Sequence, residues 1–202
     1  MMRRRHALLG LAAPFVMAAA PGGQEIAFRV RRRGDAVGTH VVRFAQRGGE
    51  RVATSELAIV PKVMGVVVYR YEHRYEEVTR EGRFLRVASR LNRNGRIVEV
   101  RGEATPGAVL LEGTEGPQRL APDAAPLSWW EMRRMGGAVP LFGTTTGRAL
   151  ALSWESRRGS AGGPSFTCSG DVSATVAFDA AGRWVGFSAR GEDGNDIVYE
   201  AA

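Results

Sequence analysis

The chain has 202 residues, a length that suits one domain, and a formal net charge of +7 from 28 basic and 21 acidic side chains. Basic and acidic residues alternate within the same stretches, which excludes a continuous basic stripe of the kind that binds nucleic acid. Cys168 is the one cysteine of the sequence, so a disulfide within the chain is excluded, and its strand-like surroundings predict a small buried side chain.

The N-terminus is predicted to be an export signal. Arg3, Arg4 and Arg5 precede an apolar run over residues 7–16, and small residues follow at 18–20. This order is typical of a secretory signal, and the run is too short to span a bilayer. The paired arginines also fit a twin-arginine signal, with an ordinary Sec signal as the alternative. We therefore expect residues 1–19 to be removed, leaving a periplasmic or secreted protein without a membrane-spanning segment.

Residues 24–202 are predicted to form a single β-rich domain. Apolar and polar residues alternate in segments that glycine turns separate, which is the period of half-buried antiparallel strands. Ile26, Phe28 and Val30 share one face of the first strand, and His40 lies on the inward face of the second.

The longest predicted strand covers residues 65–79. Its even positions carry arginines and glutamates, which must face water because an unpaired buried charge costs several kcal/mol. The opposite set is therefore predicted to face inward, and it consists of Val67, Tyr69, Tyr71, His73, Tyr75 and Glu77. After a turn the next strand would direct Leu85 inward as well.

The alternation stops between Pro117 and Pro140. Within this stretch residues 127–135 have helical spacing and include Trp129 and Trp130, and Gly136–Gly137 would end the helix. Strands then resume to the end of the chain. We thus predict an all-β fold of about ten strands and one short helix. Its architecture would be a single large curved antiparallel sheet, or half-open barrel, whose apolar concave face the helix covers.

Several motifs resemble an uncharacterised family of exported bacterial proteins, domain of unknown function 6134. They are the run 69–74 with 77–78 and 82–85, the early 37–40, the tryptophan pair after Ser128, the stretch 145–148 and the late 179–186. The family is similar in layout to another uncharacterised exported family, 3108, and to periplasmic lipoprotein carriers. The resemblance implies a half-open antiparallel barrel with helical lids and an apolar cavity. It implies no established activity.

The candidate ligand-binding residues form a polar set on the predicted inward face. His73 lies among the hydroxyls of Tyr69 and Tyr71, with His40 on another strand, and such a set can orient a polar head group or supply a general base. The alternative is a buried seam that is hydrogen-bonded to itself. Glu77 would stand about 13 Å from His73 along an extended strand, too far to orient its ring.

Three tryptophans complete the candidate ligand site. Trp129 and Trp130 could flank a cavity mouth, or pack the helix on the sheet, and Trp154 would line the apolar surface. His40, His73 and Cys168 lack the short spacing of a metal site, so no metal and no cofactor is expected.

Three functions remain open on the sequence. The first is a non-catalytic protein that binds an apolar or amphipathic, lipid-like molecule on the concave sheet face. The second is a non-catalytic module that pairs by an edge strand with an envelope protein. The third is a hydrolase that uses His73 as a base.

Overall fold

The structure is a computed structural model that describes residues 24–191 and 194–202, so the predicted signal over residues 1–19 lies outside the described part of the chain. Thirteen strands form one antiparallel sheet. In chain order they are β1 (Glu25–Arg32), β2 (Asp35–Arg47), β3 (Glu50–Ile59), β6 (Tyr71–Arg80), β7 (Arg83–Arg93), β8 (Arg96–Thr105), β9 (Ala108–Gly113), β10 (Gly116–Leu120), β13 (Leu152–Arg158), β14 (Gly162–Gly170), β15 (Ala174–Asp179), β16 (Trp184–Arg190) and β17 (Asp196–Ala201).

Two short pairs and one helix complete the secondary structure of the described residues. β4 (Lys62–Val63) and β5 (Val66–Val67) form an antiparallel hairpin. β11 (Ala125–Pro126) and β12 (Leu141–Phe142) pair in parallel. A 3₁₀ helix, Met132–Gly137, lies between them.

The sheet is continuous because its first and last strands in the sequence, β1 and β17, pair with each other. Its order is β10-β9-β8-β7-β6-β3-β2-β1-β17-β16-β15-β14-β13, and β1 pairs with β17 through Phe28 opposite Ala201. β10 and β13 are the two edges, and the sheet does not close. The predicted fold class, a single large curved antiparallel sheet, is confirmed.

Alternation places one face of this sheet in the core. Along β1, β2 and β15 every second residue is buried, as in Phe28, Val42 and Val176. The other face carries the charged residues, for example Arg43, which pairs with Glu25 and Glu56. The twist of a sheet this wide curves it, and the apolar face is the concave one.

The concave face is occupied by the protein's own chain. Residues 121–151, here called the covering segment, join the two edge strands and must therefore pass across the sheet. Its buried apolar side chains belong to the core: Ala124, Ala125, Leu127, Trp130, Met135, Leu141 and Phe142. The ring of Phe142 packs against that of Phe84 on β7, with centroids 5.7 Å apart. The sequence predicted a hollow covered by a helix. In the structure, the concave face is filled mainly by irregular chain of the covering segment and only partly by the short helix.

The longest predicted strand is wrong over its first third. β6 begins at Tyr71, and residues 62–67 form the β4–β5 hairpin instead. The reason is local, because Met64 and Gly65 both have positive φ, 52° and 83°, and reverse the chain. Val67, which was predicted to face inward, is 38% exposed. Tyr69 lies outside any strand.

Two smaller predictions also shift. The helix begins at Met132 and not at residue 127, because residues 128–131 form a tight turn that the N–H of Glu131 closes on the carbonyl of Ser128. The helix extends to Gly137 and so includes the glycine pair that was predicted to end it at residue 135, although the backbone leaves helical geometry at Met135 and Gly136. On β7, Phe84 is buried and Leu85 half-buried, since a register shift between Val78 and Thr79 of β6 reverses the alternation there.

Candidate functional site

An aromatic stack joins the sheet to the covering segment. The rings of His73 and Tyr75, on β6, are 4.9 Å apart and nearly parallel. Trp130 of the covering segment stacks on the other side of Tyr75 at 5.4 Å and meets the ring of Phe44 edge-on at 6.1 Å. The predicted ligand residues His73 and Trp130 are thus brought together, but Tyr75 lies between them and both are buried.

A buried ion pair fixes the covering segment beside this stack. Glu77, the next inward residue of β6, lies 2.5 Å from the guanidinium of Arg134, and their side chains are 1% and 6% exposed. Ser128 donates its hydroxyl to the second carboxylate oxygen of Glu77 at 2.5 Å, and Tyr75 donates to Ser128 at 3.4 Å. Arg134 also donates to the carbonyl of Pro126. The two charges of this contact offset each other through the ion pair, whereas the indole N–H of Trp130 is buried without a hydrogen-bond partner among the described residues.

The two histidines are structural members of the same core. Ser89 donates to the carbonyl of Thr144 at 2.6 Å, so its oxygen accepts from Nε2 of His73 at 2.9 Å, which assigns the Nε2–H tautomer. Nε2 of His40 lies 2.8 Å from the hydroxyl of Ser55. The His73–Ser89 and His40–Ser55 contacts are hydrogen bonds within the protein's own core, which was the alternative to a ligand site in the sequence analysis.

Burial sets the charge of these groups. It lowers the pKa of His40 from 6.5 to about 3, with a further contribution from His73. It lowers the pKa of His73 to about 4, although the nearby Thr144 carbonyl acts to raise that pKa. Both rings are therefore neutral near pH 7. Burial raises the pKa of Glu77, and the charge of Arg134 opposes that rise.

A cavity of about 460 Å³ lies at one end of the sheet. The β2–β3, β6–β7 and β15–β16 turns meet the start of the 3₁₀ helix there. The cavity is lined by Gln46, Gly49, Arg51, Thr79, Glu81, Gly82, Trp130, Glu131, Met132, Arg133, Ala181 and Gly182. We call it the turn-end cavity. A second, shallower space of about 660 Å³ runs along β3, β6, β7 and β8 and includes His73 in its lining.

Its lining is part apolar and part charged. Trp130 and Met132 supply the apolar part. Arg51 is held by Glu131 at 2.5 Å and lies 4.2 Å over the ring of Phe44, so its guanidinium is fixed in position. Arg133 is exposed and makes no ion pair within the described part of the chain.

Glycines keep this cavity open. Gly82 and Gly182 have positive φ, 78° and 75°, which their turns require. A side chain at Gly182 would stand 3.2 Å from the terminal carbon of Met132, and one at Gly82 would stand 3.8 Å from the guanidinium of Arg133. The turns can therefore approach the helix closely without filling the space between them.

The remaining predicted site residues lie elsewhere. His40 is buried between the rings of Trp184 and Tyr199, at 5.3 and 5.4 Å. Tyr69 and Tyr71 lie at the opposite end of β6, where the guanidinium of Arg93 contacts both. Trp129 packs on Phe187 of β16, and half-buried Trp154 lies on the edge strand β13 near Gly137. Of the seven residues predicted for the ligand site, only Trp130 lines the turn-end cavity.

Sequence reasoning missed Arg51, Met132, Arg133 and Arg134. The one available signal was Glu77, because a carboxylate on an inward face requires a partner. In the described residues no group of histidine, cysteine and acidic side chains is placed to hold a metal ion. The same residues contain no helix with the length and apolar content needed to cross a membrane.

A family model described as a domain of unknown function, DUF6134, matches residues 28–202. The chain belongs to this family. The resemblance drawn from the sequence motifs is thereby confirmed, and it covers the covering segment and all of the sheet except the first three residues of β1. The comparisons with curated proteins and with solved structures gave no match. The family description assigns no activity, so a function must be argued from the geometry.

Proposed function

We propose that this protein is an exported, non-catalytic binding protein for an amphipathic, lipid-like small molecule. The ligand lies in the turn-end cavity, between three turns of the sheet and the start of the 3₁₀ helix. The observation that carries the proposal is this cavity of about 460 Å³, within the range of about 300–1,000 Å³ in which small-molecule sites fall.

The lining suits a molecule with two different ends. Trp130 and Met132 offer apolar surface, and burying ligand surface there is favourable by about 25 cal/mol per Å². Arg133 offers an exposed guanidinium that no carboxylate of the described chain holds, and it can pair with an acidic head group. Arg51 lies at the same wall, but Glu131 already offsets its charge at 2.5 Å, so Arg133 is the cation that the head group would meet.

The filled core limits the size of the ligand. Phe142, Leu127 and Trp130 occupy the concave face behind the cavity, so a long acyl chain would have to remain partly outside. The ligand is therefore a compact amphipath or the head-group end of a lipid. The export signal predicted over residues 1–19 supports an encounter in the periplasm or outside the cell.

The two alternatives have less support. Pairing through an edge strand needs a long free edge, whereas β10 has five residues with an exposed Pro117 and β13 ends in Arg157 and Arg158. A hydrolase needs a reachable base, whereas His73 is 7% exposed and its partner Ser89 already donates to the Thr144 carbonyl.

Titration with the anionic amphipath 1-anilinonaphthalene-8-sulfonate tests the proposal. We expect saturable binding of one molecule to the native protein, followed by dye fluorescence. Met132→Glu places a carboxylate in the apolar wall and should weaken binding by about tenfold or more. The matched control Leu110→Thr changes an exposed apolar residue far from the cavity and should bind normally. Equal binding by the folded Met132→Glu protein would refute the proposal.

A further inference from the structure

The β4–β5 hairpin is an apolar projection at the end of the sheet opposite the turn-end cavity. β3 and β6 each run between the two ends, and eight residues of strand separate them by roughly 27 Å. The base of the hairpin is anchored by main-chain bonds from Val60 to Val37 and from Val68 to Pro61. Two further hydrogen bonds join Arg70 to Asn94. The main-chain N–H of Arg70 donates to the side-chain oxygen of Asn94, and the main-chain N–H of Asn94 donates to the carbonyl of Arg70.

The tip of this hairpin is exposed and apolar. Met64 is 99% exposed, Val66 66%, Val68 57% and Val67 38%. Single apolar residues on a surface need no explanation, but four within five positions form a continuous patch of the kind that marks an interaction site. The patch is convex, so it has no groove for a small ligand.

The backbone at the tip is unfavourable for the residue it carries. Met64 has φ 52°, a conformation that glycine and asparagine adopt more readily than an unbranched apolar residue. Asparagine there would suit the turn better and expose less apolar surface. A local cost at an exposed position that packs against nothing points to a function for the methionine.

Positive charge surrounds the base of the hairpin. Lys62 and Arg96 are exposed and make no ion pair within the described residues. Arg70 and Arg93 lie beside them, and Glu72, which is bound to Arg70, is the carboxylate on this side. On the other side the β1–β2 turn adds Arg33 and Asp35, whose charges balance. The apolar tip therefore projects from a basic collar.

We propose that this hairpin docks the protein on the surface of an anionic lipid bilayer. Met64 and the valines enter the interface between head groups and acyl chains, while Lys62, Arg70 and Arg96 contact the lipid phosphates. A protein partner is disfavoured because a stable interface covers about 800 Å² on each side, more than two strands of two residues can offer. Tyr69 lies at the base, at the height where tyrosine rings meet head groups.

Co-sedimentation of the full chain with vesicles of phosphatidylglycerol and phosphatidylethanolamine tests this. The native protein should pellet with the vesicles, less so with phosphatidylcholine alone and less at high salt. The double variant Met64→Asn, Val66→Thr keeps the turn and should bind at least about tenfold more weakly. Lys62→Glu, which reverses one charge near the surface, should weaken binding by about fivefold or more.

Two controls separate this proposal from the ligand site. Leu110→Thr removes an equally apolar exposed side chain elsewhere and should leave vesicle binding unchanged. Met132→Glu should lose the dye and keep the vesicles, whereas the hairpin variant should do the reverse. Vesicle binding by the hairpin variant equal to that of the native protein would overturn the proposal. So would a native protein that ignores anionic vesicles, including one that instead captures a protein through the same tip.

Discussion

The carboxylate of Glu77 and the guanidinium of Arg134 lie 2.5 Å apart in the core, with side chains 1% and 6% exposed. Glu77 lies on β6, an interior strand of the sheet, and Arg134 lies on the helix of the covering segment. Together with Ser128 they make the contact that fixes this segment on the concave face. The covering segment is therefore held against the sheet by a polar contact that neither residue could satisfy alone.

Breaking this pair should be costly. Glu77→Gln leaves Arg134 buried without its counter-charge, and we expect a loss of about 3–5 kcal/mol in the free energy of unfolding, measured by urea denaturation. The double variant Glu77→Leu, Arg134→Met should be more stable than either single change, since both charges are then absent.

The exposed pair at Arg43 is the matched control. Its side chain is 54% exposed and its guanidinium lies near Glu25 and Glu56, so Arg43→Gln should change stability by less than about 1 kcal/mol. If Glu77→Gln were as mild as Arg43→Gln, the pair would not be what holds the covering segment.

Acid should destabilise the protein through His40 and His73. Their pKa values are about 3 and about 4 in the folded chain against 6.5 in the unfolded chain, so below pH 6.5 the unfolded state binds more protons. Stability should be full above about pH 7 and fall by about 2 kcal/mol per histidine on acidification to about pH 5. The raised pKa of Glu77 has the opposite effect, because the folded state then binds the extra proton and gains stability on acidification. Glu77 is one group, and the two histidines outweigh it.

Urea denaturation at several pH values measures this effect. Replacing His40 with Gln keeps a hydrogen-bonding group near Ser55 and should remove about half of the loss between pH 7 and 5. A pH profile that is flat between these values would show that the two rings do not stay neutral in the folded state.

The far end of the covering segment depends on glycine. A methyl group on Gly113 would stand 2.5 Å from the Cα of Gly147, which is a backbone clash. Gly113→Ala should cost about 1–3 kcal/mol and loosen residues 143–151 from β9, detectable as faster amide hydrogen exchange there. At Gly107 the methyl group meets the flexible end of Arg119, and Gly107→Ala should be tolerated. Equal stability of both variants would contradict this packing.

The Cys168 thiol should be inert in the folded protein. The residue is 0% exposed, and burial raises the pKa of its thiol, so little thiolate is available. A thiol reagent such as Ellman's should react only as fast as the protein unfolds, and rapidly in denaturant. Fast reaction in native buffer would contradict the position of β14 in the core.

Local patterns predicted the sheet well. Alternation along the first strands and the Asn94–Gly95 turn depend on neighbours in sequence, and the structure has them in place. The inward position of Glu77 also followed from alternation. Its partner did not, because Arg134 lies more than fifty residues away in the sequence, and helical spacing within its own segment does not indicate which strand it contacts.

The candidate site was harder to predict for the same reason. Tyr69 and His73 are four residues apart, so alternation along one strand would place them on the same face. The reversal at Met64–Gly65 shortens the strand, which begins at Tyr71 and leaves Tyr69 outside it. The turn-end cavity is formed by three turns and a helix that are distant in sequence. No single stretch carries its signature, so Met132 and Arg133 could be found only from coordinates.

Native mass spectrometry of the protein purified from the cells that naturally produce it tests the proposed ligand site most directly. We predict a folded chain carrying one additional small amphipathic molecule, which is lost in Met132→Glu and retained in the Leu110→Thr control. A native protein that appears only at the mass of the bare polypeptide would contradict the account.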